Sequence, residues 1–209
     1  MADELPTADE TSAPTAPAPA RSVTIADPGP LGLAGFALTT FVLSMYNSGI
    51  LGGKPAVVFG LALAYGGLAQ LLAGMWEFRT GNTFGALAFT SYGAFWLAWA
   101  GYAIYFKTLV GNPTDTNHAT GIFLLAFAIF TAYMTVAAMR TTTSILAVFV
   151  LLTITFLFLG IGDFSGKESI VHIGGFVGLA TAAAAWYGSF AGVANSTFGR
   201  TVLPVGPRS

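Results

Sequence analysis

The sequence predicts an all-α polytopic membrane protein with six transmembrane helices and both termini cytoplasmic. Composition is the first reason: of 209 residues, 55% are hydrophobic and only 8% charged, whereas soluble domains carry about 25% charged residues. The second is a mean hydropathy of +0.72. The third is distribution: the apolar residues gather into runs of about 20, the length that crosses about 30 Å of hydrocarbon. A formal net charge of −1 leaves no basic footprint for nucleic acid, and the lack of Cys excludes disulfides and thiolate sites.

Residues 1–26 are rich in Ala, Pro, Thr and acids. Such a segment buries too little apolar surface to offset its ordering entropy, so it reads as a disordered N-terminal tail. It has neither the basic start nor the apolar core of a signal peptide. Residues 27–199 form the transmembrane domain and 200–209 a short cytoplasmic tail.

The first span runs from about Leu31 to Leu51 and is closed by "GGKP" at 52–55. The second covers about Ala56 to Trp76, the third about Asn82 to Phe106, and the fourth about Thr120 to Met139. The fifth covers about Thr141 to Gly162 and the sixth about Ile170 to Ala194. Gly111, Asn112 and Pro113 mark a turn in the longest connection, 107–118. With the N-terminus inside, Arg21, Arg79, Arg140, Arg200 and Arg208 fall on inner segments and Lys54, Lys107 and Lys167 on outer loops. That excess favours a cytoplasmic N-terminus and an even number of crossings, hence cytoplasmic termini; the expected location is the plasma membrane, as a multi-pass protein. Gly174 and Gly178, like Gly188 and Gly192, stand four apart, a spacing for close helix approach in lipid.

Inside "GFALTTFVLSMYN" at 35–47, Phe36, Thr40, Ser44 and Asn47 follow steps of four, four and three and share one helix face, with Thr39 beside it. Polar groups facing lipid are costly, so this stripe faces protein or water. Hydroxyls that bond back to their own helix compete with a lining of a narrow path for a small polar solute. Tyr65, Gln70, Thr83, Thr90, Ser91, Tyr92, Thr131, Thr135, Thr153 and Thr155 offer matching material on other spans.

No span carries a charged residue near its centre. A neutral, aromatic path suits a small hydrogen-bonding solute and gives an ion no counter-charge. A carboxylic acid, with a pKa of about 4 in water, enters a dry constriction as its neutral form. Its proton then crosses with it. Glu77, Asp163 and His172 lie at span rims and are the proton-linked candidates; His118 precedes the fourth span. No metal-ligand spacing, cofactor motif or catalytic motif is present, so no enzyme, cofactor or metal site is expected.

The same stretches carry a likeness. "DPGPLGLAGF" at 27–36 resembles the entry motif N-P-A-P-L-G-L of the acetate uptake transporter family, the succinate–acetate permeases of bacteria and their fungal relatives. "AYGGLAQLLAG" at 64–74, "GNTFGALAFTSYGAFW" at 81–96 and "FGRTVLP" at 198–204 look like further parts of that family. The resemblance implies a proton-coupled carrier or a channel for acetate and succinate, assembled as a homohexamer with a pore in each subunit. It also implies a narrow gate of a Phe, a Tyr and a Leu, carried by motif onto Phe36, Tyr65 and Leu152. Asp27 stands where the motif has Asn, Gly29 where it has Ala, and Asp163 where Asn is commoner. Asp and Asn are similar helix caps. The leading expectation is proton-coupled transport of acetate, with a small carboxylate, a proton and the bilayer as partners. A passive channel for small monocarboxylates or another solute is the alternative, and a non-transporting sensor or scaffold a further one.

Overall fold

The computed structural model describes residues 25–207, so most of the expected N-terminal tail, with Arg21, and also Arg208 lie outside the described residues. Six helices follow one another: α1 Gly29–Asn47, α2 Ala56–Thr80, α3 Thr83–Gly101, α4 Pro113–Ala138, α5 Thr143–Ser165 and α6 Glu168–Phe198. Five of them are long and apolar enough to cross a membrane. The sixth, α3, has 19 residues, but Thr90, Ser91, Tyr92, Trp96 and Trp99 dilute its apolar character.

Local chemistry sets the ends. The Asn82 side-chain Oδ1 accepts the Gly85 N–H at 3.0 Å and starts α3. Thr142 caps α5 through the Ile145 N–H at 3.2 Å. Gly81, Gly166 and Gly199 end α2, α5 and α6 in the left-handed region, with φ of 78°, 65° and 61°. The expected fourth span starts too late: Asn112 accepts the Asp115 N–H at 2.9 Å and Pro113 takes the first helical position. His118 therefore lies inside α4 rather than before it, its ring stacked 4.7 Å from that of Phe164 on α5. Beyond Gly101 the third helix continues as a widened turn to Phe106 and a tight turn to Leu109. Pro28, not Asp27, occupies the cap position of α1, and Asp27 Oδ1 accepts the Gly29 N–H at 2.8 Å from one residue further out.

Backbone packing runs α3–α2–α1–α6–α5–α4, and the backbones of α3 and α4 scarcely meet. Aromatic side chains fill that seam. Phe95 stacks on Phe123 at 5.3 Å and meets Phe127 edge-on at 4.8 Å. Tyr92 meets Phe130 at 5.4 Å. Both four-spaced glycine pairs are used in packing. A side chain at Gly178, Gly188 or Gly192 would strike Ser44, Leu33 or Pro30 of α1, and one at Gly174 would strike Leu159 of α5. The outside is apolar, with Leu68, Phe78, Ile129, Val136, Phe176 and Phe190 exposed, as a lipid-facing surface requires.

Both ends of the described chain lie at one end of the bundle. Ser189 donates to the Pro30 carbonyl at 2.7 Å. After Gly199 the chain turns back, where Tyr187 donates to the Pro204 carbonyl at 2.6 Å. The Thr143 N–H then donates to Gly206 at 2.7 Å.

Candidate functional site

Two cavities lie toward opposite ends of the bundle. One, of about 390 Å³, is at the end bearing both termini, among Asp27, Glu77, Asn82, Thr142 and Asn195. The other, of about 220 Å³, is at the far end, among Asn47, Pro55, Lys107, Thr120 and Asp163. Phe36 and Leu152 border both. They are 4% and 3% exposed. Tyr92 borders the larger cavity, its ring centroid 5.8 Å from that of Phe36.

Three helices supply the walls by periodicity. Leu33, Phe36, Thr40, Ser44 and Asn47 of α1 recur at steps of three and four, as do Phe89, Tyr92, Trp96 and Trp99 of α3. Phe149, Leu152, Phe156 and Leu159 of α5 do the same. Each stripe passes from one cavity to the other, because residues at this spacing share a helix face.

Most buried and half-buried threonine hydroxyls bond back to their own helix. Thr39 donates to the Gly35 carbonyl at 2.9 Å, Thr153 to Phe149 at 2.8 Å and Thr155 to Leu151 at 2.9 Å. Thr40 Oγ1 and Trp96 Nε1, beside the smaller cavity, have no partner, and neither do the Gln70 amide and Ser144 Oγ beside the larger one. A buried polar atom without a partner is costly. Four such groups lie around the two cavities.

Of the residues singled out from sequence, Phe36, Thr40, Ser44, Asn47 and Leu152 come together along the cavities. Thr39 does not: it is fully buried, and a side chain at Gly66 of α2 would strike it. Tyr65 borders neither cavity. It lies in a widened stretch of α2, Ala64–Ala69, where the absent side chain of Gly35 lets α1 approach the Tyr65 backbone carbonyl. Such a stretch admits an extra residue per turn and rotates the later part of the helix about its axis. Gln70, completely buried, reaches the larger cavity from α2, as does Glu77 two turns on. Tyr65→Phe is accordingly expected to leave solute uptake in proteoliposomes within twofold of the parent, whereas Tyr92→Ala is expected to change it strongly.

Among the titratable candidates, Glu77 is 2% exposed and borders the larger cavity. Its Oε2 accepts from Thr80 Oγ1 and Asn82 Nδ2, both at 3.0 Å. Asn82 thus caps α3 and ties it to the end of α2 at once. Asp163 and Lys107 share the smaller cavity. His172 lies at the far end beside the Gly49 turn, with Nε2 3.6 Å from Glu168 Oε1, and borders neither cavity.

The model of the GPR1/FUN34/yaaH family matches residues 9–207. The chain belongs to this family. The family likeness read from the short motifs thus extends over nearly all of the chain. Among its relatives, Ammonia transport outward protein 2 of Saccharomyces cerevisiae is 45% identical over 184 residues, covering 86% of this chain and 64% of the relative. The chain thus spans a little under two thirds of that relative. Succinate-acetate/proton symporter SatP of Escherichia coli is 40% identical over 184 residues, covering 87% of this chain and 96% of the relative. A solved structure of the bacterial acetate channel SatP superposes with a TM-score of 0.82 at 38% identity, covering 88% of this chain and 100% of that one. The protein is a multi-pass helical membrane protein, and these three similar proteins are named as transport proteins or a channel, not as enzymes.

Proposed function

We propose that the chain carries acetate across the membrane, the acid moving with its proton through the two cavities and past Phe36, Tyr92 and Leu152. The observation that carries this reading is that two cavities from opposite ends share Phe36 and Leu152, with unpartnered Thr40 and Gln70 on either side of them. The names of SatP and of the acetate channel supply the solute. Thr40 and Trp96 on one side and Gln70 on the other replace part of the carboxyl group's hydration shell. The narrow point itself offers rings and a Leu side chain, so it penalises the anion and passes the neutral acid. Succinate as a second substrate and six subunits per assembly belong to the same proposal, through the family likeness.

Proteoliposomes with an acidic exterior test the coupling, with protein-free vesicles as the background. Labelled acetate is expected to accumulate inside faster than the background, with proton uptake in step. Acetate entry that carries charge and leaves internal pH unchanged would instead establish the passive channel. That second reading draws support from the lack of any charged side chain at the shared residues and from the neighbour described as a channel.

A further inference from the structure

On the reading that this path carries the solute, we propose that Thr131 is a positioning residue. Its hydroxyl pins the Tyr92 ring across the narrow point and keeps the phenol hydroxyl turned out of the lumen. Thr131 lies on α4, is fully buried and borders neither cavity. Its Oγ1 is 2.7 Å from the Phe127 carbonyl oxygen and 2.9 Å from Tyr92 Oη.

A threonine hydroxyl has one hydrogen, and a carbonyl can only accept. Thr131 therefore donates to Phe127, and Tyr92 donates to Thr131. The direction of the chain is fixed, and the phenol hydrogen is committed to α4. The ring body is what remains beside the cavity, set against Phe36 at 5.8 Å and lying nearly parallel to Phe156 at 6.5 Å and 16°. These contacts hold the ring's faces and edge. Thr131 holds its far end, across a seam where the backbones of α3 and α4 scarcely meet.

The consequence is chemical as well as steric. A phenol free to turn into the lumen would offer a carboxylate a donor where Phe36 and Leu152 offer none. It would also let the ring swing and widen the passage. The pinned ring keeps the narrow point both apolar and small, so Thr131 selects for small neutral acids without touching them.

The test is a mutant cycle in proteoliposomes, read as the ratio of benzoate to acetate flux. Thr131→Val removes the acceptor, Thr131→Ser keeps it, and Tyr92→Phe removes the donor. An interhelical hydrogen bond in a membrane protein is worth about 0.6 kcal/mol, roughly threefold in a population. Thr131→Val and Tyr92→Phe are each expected to raise the flux ratio roughly threefold, the double variant no further, and Thr131→Ser to match the parent. If Thr131→Val does not fold, Tyr92→Phe against Thr131→Ser carries the comparison. An unchanged ratio in Tyr92→Phe, a rise in Thr131→Ser, or a Thr131→Val effect that adds to Tyr92→Phe would overturn the pin while leaving the transport reading intact. Failure of Thr40→Trp to block uptake would remove both.

Discussion

Thr40→Trp is expected to bring labelled-acetate uptake in proteoliposomes down to that of protein-free vesicles. Thr40 is 6% exposed and stands one turn along α1 from Phe36, on the wall of a cavity of about 220 Å³. An indole there fills the space directly beside the shared narrow point, and the surrounding wall of Phe95, Trp96 and Phe156 leaves it little room to turn away. The substitution combines two losses, volume and the hydroxyl, and Thr40→Val separates them. Valine keeps the shape and removes a hydroxyl that has no partner in the protein. A hydrogen bond to the solute worth about 0.5–1.5 kcal/mol sets the expected loss of uptake at roughly two- to tenfold. Removing a buried unpartnered hydroxyl costs the fold nothing, so the thermal stability of Thr40→Val is expected to equal or exceed the parent's. The opposite holds for Thr131→Val, which breaks a bond that exists. A folded Thr40→Trp protein with parental uptake would mean that solute does not pass this wall.

The sequence already contained six apolar runs, the α1 stripe and the resemblance, because each is a matter of period or local motif. Phe36, Thr40, Ser44 and Asn47 share a face on any regular α-helix, and α1 is uninterrupted through them. Tyr65 is different: α2 widens at Ala64–Ala69, and one extra residue in a turn is invisible to a reading that assumes a constant 3.6. Gln70 is visible in the sequence as a polar group of the second span, but the same widening hides that it, and not Tyr65, lies beside the larger cavity. Tyr92 and Trp96 had a legible signal, the run Phe89, Tyr92, Trp96 and Trp99 at steps of three and four. It is masked because α3 carries aromatic residues on several faces, so periodicity alone does not single out one. Thr39 and Thr40 show the other limit. They are adjacent, chemically identical and both buried, yet one donates to its own helix and the other faces a cavity. Only the packing of Gly66 against Thr39 decides which is which. The start of α4 was displaced for a simpler reason: Asp115 and His118 are polar, but the Asn112 cap and Pro113 set a helix going before the apolar run begins.

Gly175→Ala is expected to destabilise the bundle and abolish uptake together, although it adds a single methyl group. The new Cβ would fall on the backbone of α1, 2.5 Å from the Asn47 carbonyl carbon and 2.6 Å from Ser48 Cα. Backbone atoms in the last turn of a packed helix have no rotamer with which to yield, so α1 and α6 must separate. Overpacking of this kind costs roughly 1–3 kcal/mol where side chains absorb it, and the absence of a flexible neighbour puts Gly175 at the upper end. The displaced residue, Asn47, is itself part of the smaller cavity's wall, so the same shift that loosens the fold distorts the path. Gly60→Ala and Gly101→Ala are the controls, since a Cβ at either meets nothing within 4 Å. Both are expected to keep parental uptake and to gain up to about 1 kcal/mol through reduced backbone freedom in the unfolded chain. Thermal aggregation of detergent-solubilised protein, followed by size-exclusion chromatography, reads all three. Gly175→Ala melting with the parent would mean that α1 and α6 do not pack through this glycine. Parental melting with lost uptake would place its role in the cavity wall alone.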